Sequence, residues 1–333
     1  MLDSMIQDLL QPGSLPDPTR QVRLVQTHIS LVFVADEFVY KVKKPVNFGF
    51  LDFTTFEKRA FYCQQELDLN RRLAKDVYLS VLPIRFNGKT YSLRSRKGEI
   101  VEHAVKMKRI SEERLMKSLY ERGALTEHHL KRLARRLAAF HAQALRTPEI
   151  DGFGESGRFR INTDENFAQI RKYRGISLSK EQFDALQEWT DGFYRTRQEL
   201  FDRRIGQGKI RDCHGDLHME HVCFSRSLSI IDCIEFNERF RYSDTVADIA
   251  FLLMDLEYHG GKKCSASLWK HYRTVAGEEA VEPLLDFYKV YRAVVRGKVN
   301  SFQVDDPTIG SEDKDKAVQR AKKYFALACS YLS

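Results

Sequence analysis

Apolar positions change their period along this chain. From Val22 to Val42 they follow the alternation of strands, and beyond about residue 110 the three-to-four-residue spacing of helices prevails. Residues 1–10 predict a short amphipathic helix, ended by Pro12-Gly13 and the Pro16/Pro18 loop. Leu31–Ala35 and Phe38–Val42 predict a hairpin around Asp36-Glu37, with Lys41 in an apolar strand. Thr54-x-x-Glu57 is a capping box, so a helix is expected from there to about Leu73, with Phe56, Ala60, Cys63 and Leu67 as its stripe and Glu66 beside it. Val81–Phe86, Tyr91–Leu93 and Val101–Ile110 predict further strands.

Helices are then expected at about 111–121 and 126–145, and after an Asn162-Thr163-Asp164-Glu165 cap. The longest is expected to run from a Ser179-x-x-Gln182 capping box to roughly Arg204. Val222–Phe224 and Leu228–Ile231 predict a hairpin whose second strand ends at Asp232. Ser243-Asp244 caps a helix from Thr245 to about Tyr258, and helices at about 265–275, 277–300 and 312–331 finish the chain.

The 333 residues are 43% hydrophobic and 30% charged, which predicts a globular chain with ample core. No run approaches the ~18 apolar residues of a membrane span, so no membrane partner is expected. The acidic start lacks a signal-peptide layout, and six cysteines without a C-x-x-C pair fit a reducing compartment, so the expected location is cytoplasmic. Cys213, Cys223 and Cys233 recur every ten residues in apolar contexts and read as small core residues. The net charge of +8 admits anionic partners. Lys131, Arg132, Arg135 and Arg136, however, oppose the stripe Leu130, Leu133, Leu137 and Phe140/His141, as on a solvated helix face. No nucleic-acid partner is therefore expected.

Candidate chemistry concentrates in Arg211–Phe236. Asp216 and Asp232 end short apolar runs, and the hairpin between them lets both face one small volume, with imidazoles at His214, His218 and His221. Carboxylates brought together need cations or protons. A surface turn is the plainer account of His214-Gly215-Asp216 taken alone. A zinc reading of His214, His218, His221 and Cys223 needs helical spacing that Gly215 argues against. Gly152–Gly157 spells G-x-G-x-x-G but follows no strand, and reads as a flexible loop.

Order and spacing in this segment resemble the aminoglycoside phosphotransferase and choline kinase group, which shares the protein-kinase fold. There a loop H-G-D-x-x-x-x-N is followed, one hairpin later, by a metal-binding aspartate. The resemblance runs from about Val22 to about Ser330. It includes Tyr40-Lys41-Val42-Lys43-Lys44-Pro45-Val46 and Phe48-Gly49-Phe50-Leu51-Asp52-Phe53, which look like an uncharacterised bacterial branch. Some members of that branch carry a P-loop kinase domain after this one, and this chain is expected to end without it.

The resemblance implies an α+β, bilobal fold: residues 1–105 a mostly β small lobe, 106–333 a mostly helical large lobe. It implies transfer of the γ-phosphoryl of ATP to a hydroxyl of a small acceptor, with Mg²⁺. Asp216 matches the catalytic aspartate, preceded by His214 of the same motif. Asp232 matches the metal aspartate, with Glu235 as a possible further carboxylate. Lys41 matches the phosphate-contacting lysine and Glu66 its helix partner, Lys43 being the competing choice. Ser30 would reach phosphate, the backbone around Lys106–Lys108 would pair with adenine, and Met107 would pack the ring. Asp248 would hold the catalytic loop. His221 stands where the family has asparagine and is a further candidate metal ligand; because of that departure and a phosphate turn without glycines, the alternative is a nucleotide-binding pseudokinase.

Overall fold

The computed structural model describes residues 2–307 and 309–332. By internal contacts it forms two compact units, Met1–Ala124 with Glu220–Glu238, and Leu125–Met219 with Arg239–Ser333. The architecture is α+β, as the resemblance implies.

The first unit is built on one antiparallel sheet. After α1 (Leu2–Leu9) come β1 (Arg23–Gln26), β2 (Ser30–Val34), β3 (Phe38–Lys43), α2 (Phe56–Ala74), β4 (Tyr78–Phe86), β5 (Tyr91–Ser92) and β6 (Glu99–Lys108). The spatial order is β1-β2-β3-β6-β4-β5, so the last strand is inserted between two earlier ones. Side chains alternate across a strand, and this sheet buries both faces. Tyr40, Val42 and Ala104 join Met5, Leu9 and Phe33 in one cluster. Val105 joins Cys63, Leu67, Ala74 and Tyr78 of the α2 side in another. The helix cap lies one residue later than expected. Thr54 donates its hydroxyl to the Asp52 carboxylate at 2.6 Å, and Thr55 accepts the Lys58 N–H instead.

The second run is mostly helical: α3 (Met116–Glu121), α4 (Glu127–Gln143), α5 (Pro148–Gly152), α6 (Ser156–Ile170), α7 (Lys180–Thr196) and α8 (Gln198–Gly206). There follow β7 (Ile210–Asp212), β8 (Val222–Cys223), β9 (Ser229–Ile230), α9 (Glu238–Arg241), β10 (Tyr242–Asp244), α10 (Thr245–Tyr258), α11 (Lys262–Ala276), α12 (Glu282–Phe302) and α13 (Ser311–Cys329). The β8–β9 hairpin belongs with the sheet unit because the Cys233 N–H donates to Asn70 of α2 and the Phe224 N–H to the Arg114 carbonyl. The expected lobe boundary at 105/106 falls inside β6.

Three expectations change. Asn162-Thr163-Asp164-Glu165 lies inside α6 rather than capping it, since Asn162 and Thr163 are buried there and the Thr163 hydroxyl donates to the Arg160 carbonyl. The glycine stretch 152–157 is a tight join of α5 to α6 rather than a loose loop: a Cβ on Gly154 would meet Ile210 Cγ1 at 2.4 Å. The helix from Ser179 breaks at Arg197, so α12, with 21 residues, is the longest. On α4 the apolar stripe is buried while Lys131, Arg135 and Arg136 are exposed, which is the solvated face expected. No described helix is long and apolar enough to cross a membrane.

Candidate functional site

In the first unit, β3 places Lys41 and Lys43 two residues apart, hence on one face. Across from them α2 presents Glu66, which is fully buried. One carboxylate serves both lysines: Lys41 Nζ lies 2.8 Å from Glu66 Oε1, and Lys43 Nζ 2.8 Å from Oε2. Each lysine then has a second partner. Lys41 reaches Asp232 Oδ1 at 2.7 Å, and Lys43 donates to Glu235. Burial grades along this chain of charges, from 1% side-chain exposure at Lys43 through 15% at Lys41 to 45% at Asp232.

Burial works against charging both lysines, but the carboxylates outweigh it and hold both ammonium groups above their usual range. Burial likewise opposes ionisation of Glu66, and the two lysines overcome it and pull its carboxyl below the usual range. In these five side chains two ammonium groups face three carboxylates. Asp232, at the open end, is the most exposed of the three carboxylates.

Asp232 is held there by its backbone. Its φ is +63°, a left-handed conformation rare outside glycine and best tolerated by Asp and Asn. Its N–H donates to the Tyr78 hydroxyl at 3.2 Å. His221 Nε2 lies 3.5 Å from Asp232 Oδ2, and the His221 carbonyl accepts the Ile231 N–H across the hairpin.

The second unit carries loop 213–219, with Asp216 and His218. Every residue of α10 except Glu257 is buried, so its Asp248 and Asp255 must have partners. Both hold this loop. Asp248 accepts the His214 N–H at 3.0 Å and the Gly215 N–H at 2.8 Å, and Asp255 accepts the Met219 N–H at 2.9 Å. Behind Asp248, His141 Nε2 lies at 3.1 Å, and His141 Nδ1 meets the Tyr272 hydroxyl at 2.7 Å. Burial raises the Asp248 pKa, but His141 leads a set of neighbours that leave it well below the usual range. Asp216 keeps its side chain about one-third exposed, with Oδ2 3.5 Å from His218 Nε2. Burial disfavours a charged His218, yet the Asp216 carboxylate prevails and raises its pKa.

Several expected site residues are placed differently. His214 is fully buried and its Nδ1 accepts the Asp216 N–H at 3.3 Å, so it shapes the loop rather than facing a reactant. Glu235 is spent on Lys43 in the interior. Ser30 is fully buried at the start of β2, and its hydroxyl finds no hydrogen-bond partner among the described residues. Lys106 pairs with Tyr40 in register, so it projects from the face opposite Lys41, where it meets Asp17 at 2.6 Å. Met107 is on the Lys41 face, packed against the cluster that holds Tyr78 and Val105. Its backbone lies in the middle of the sheet, and the Lys108 and Arg109 N–H groups are taken by the Val77 and Glu37 carbonyls.

Sequence reasoning missed Asn70, Tyr78, His141 and Tyr272. Only His141 left a signal, a histidine ending an apolar helical stripe.

Comparison with known proteins reaches the same architecture. The chain is 33% identical over 308 residues to uncharacterised proteins of Mycobacterium tuberculosis and Mycobacterium bovis, covering 92% of its own length and 59% of theirs. It thus spans about three-fifths of these curated relatives. A choline/ethanolamine kinase family protein of Mesorhizobium loti superposes with a TM-score of 0.54 at 15% identity, over 99% of this chain and 98% of that one. Amicoumacin kinase in complex with AMP-PNP, Ca²⁺ and Ami does so with 0.56 at 11% identity, over 95% and 89%. At such identity these two establish the fold. The stronger statement comes from the model of the phosphotransferase enzyme family, which matches residues 59–284 and so takes in α2 with Glu66, the loop with Asp216, the hairpin with Asp232, and Asp248: the chain belongs to that family.

Proposed function

We propose that this chain is an ATP-dependent kinase that moves the γ-phosphoryl of ATP to a hydroxyl of a small molecule. The observation that carries the reading is the graded charge chain of the first unit. A buried Glu66 holds Lys41, and Lys41 leads out to a part-exposed Asp232. Lys41, the more open of the two lysines, would contact ATP phosphate. Asp232 would hold a divalent cation together with phosphate oxygens. A bound Mg²⁺ would neutralise phosphate charge there, and its preference for oxygen fits one carboxylate completed by phosphate and water better than it fits His221. Asp216 would accept a hydrogen bond from the acceptor hydroxyl, orienting it and taking its proton late, because a carboxylate is too weak a base to deprotonate an alcohol outright.

The test is ATP consumption over a panel of sugars, amino alcohols and antibiotics, with product formation checked by mass spectrometry. Turnover above the acceptor-free rate with at least one alcohol is expected. A second reading, nucleotide binding without transfer, is favoured by His221 at the loop position where the family has asparagine. It gains if the whole panel leaves ATP intact.

The metal assignment has its own test, isothermal titration of ATP with Mg²⁺ or Mn²⁺. Metal-dependent binding is expected to collapse in Asp232→Ala and to weaken much less in His221→Ala. Equal collapse in both makes His221 a metal ligand, and unchanged binding in both removes Asp232 from the role.

A further inference from the structure

Arg292 of α12 is a buried cation, 4% exposed, whose charge favours the ionised Asp248 carboxylate nearby. Removing a guanidinium from water is costly, so its remaining contacts need a reason. Two are carbonyls: Nη1 donates to Gly215 O at 2.9 Å, and Nε to Ala247 O at 3.3 Å. Its planar group also lies over the Phe251 and Tyr291 rings, 4.9 and 5.3 Å from their centroids. A planar fork with several donors can tie two carbonyls at once, which a lysine cannot do in the same way.

Those two carbonyls are the joint between the loop and the helix that carries Asp248. Gly215 has φ of +86°, and Asp248 already holds its N–H. Arg292 takes its C=O, which belongs to the peptide linking Gly215 to Asp216. The N–H of that same peptide donates to His214 Nδ1. A glycine at positive φ is free to let this peptide rotate, and rotation would break both contacts and swing the Asp216 side chain.

We propose that Arg292 is a positioning residue: it fixes the Gly215–Asp216 peptide plane and thereby aims the Asp216 carboxylate. The role rests on the kinase reading for its consequence in turnover, but its physical content is local and can be read without turnover.

The experiment compares amide hydrogen exchange in the wild-type chain, Arg292→Met and Arg292→Lys. Methionine keeps the apolar stem without a donor, and lysine keeps the charge without the fork. Exchange at Gly215 and Asp216 is expected to rise about tenfold in Arg292→Met, the weight of one charged hydrogen bond, and less in Arg292→Lys. Amides of β3 and α2 should be unchanged, as should ATP affinity. With an acceptor found by the panel, kcat should fall while the acceptor KM holds. Unchanged exchange at Gly215 and Asp216 overturns the proposal. So does a rise spread evenly over α10 and α12, which would make Arg292 a packing cation. If Arg292→Met does not fold, Arg292→Lys decides by the same two criteria. Failure of the acceptor panel bears on the activity alone, since exchange at this peptide needs no reaction.

Discussion

Asp216→Asn is expected to lower phosphoryl transfer by roughly 10²–10⁴-fold, the usual contribution of a positioned proton acceptor. The fold should be unaffected, because the Asp216 side chain is part exposed and the loop is pinned through its backbone by Asp248, Asp255 and Arg292. ATP binding should also survive, since the groups assigned to phosphate and metal are Lys41 and Asp232. The substitution changes one oxygen to an amide nitrogen, so it removes charge and basicity while keeping shape. It also deprives His218 of the neighbour that raises its pKa. A single-turnover assay with the best acceptor of the panel decides the matter. An Asn variant that keeps more than a tenth of the wild-type rate shows that Asp216 neither orients nor accepts.

How much of this was legible in the chain depends on the range of each interaction. The strand–helix–strand order, the capping box at Ser179 and the buried helix after Asp244 follow from local spacing, and each is in place. The family was legible because His214-Gly215-Asp216 and Asp232 sit at a fixed separation, which a scan of the chain registers. Period two assigns Lys41 and Lys43 to one face, but it carries no information on depth. Which lysine is open depends on Glu235 and on the hairpin packing against α2, almost two hundred residues away in sequence. The face that the Lys106 side chain takes turns on β6 entering between β3 and β4, a non-local pairing that no window of residues records. His141, Tyr272 and Arg292 come from three different helices and meet the loop only after the helices pack.

Lys43→Met is expected to destabilise the protein by about 3–5 kcal/mol, the typical result of removing one partner from a buried charge pair. Lys43 is almost inaccessible, and its loss leaves Glu66 with one lysine instead of two and Glu235 with none of its assigned partners. Lys41→Met should cost less stability, because Glu66 keeps Lys43 and Asp232 is part exposed, and should cause a large loss of ATP binding. The pH dependence separates the two further. Burial already raises the Glu235 carboxyl, and without Lys43 it should rise more. A carboxyl whose pKa is higher folded than unfolded binds more protons in the native state, so native stability falls as pH rises from the unfolded value, about 4.3, toward the folded one. The stability deficit of Lys43→Met should therefore shrink as the pH is lowered from 7.5 toward 5. Urea denaturation of the wild type and both variants at those two pH values measures it. A Lys43→Met chain as stable as the wild type at pH 7.5, with ATP affinity lost, would exchange the roles of the two lysines and put Lys43 on the phosphate.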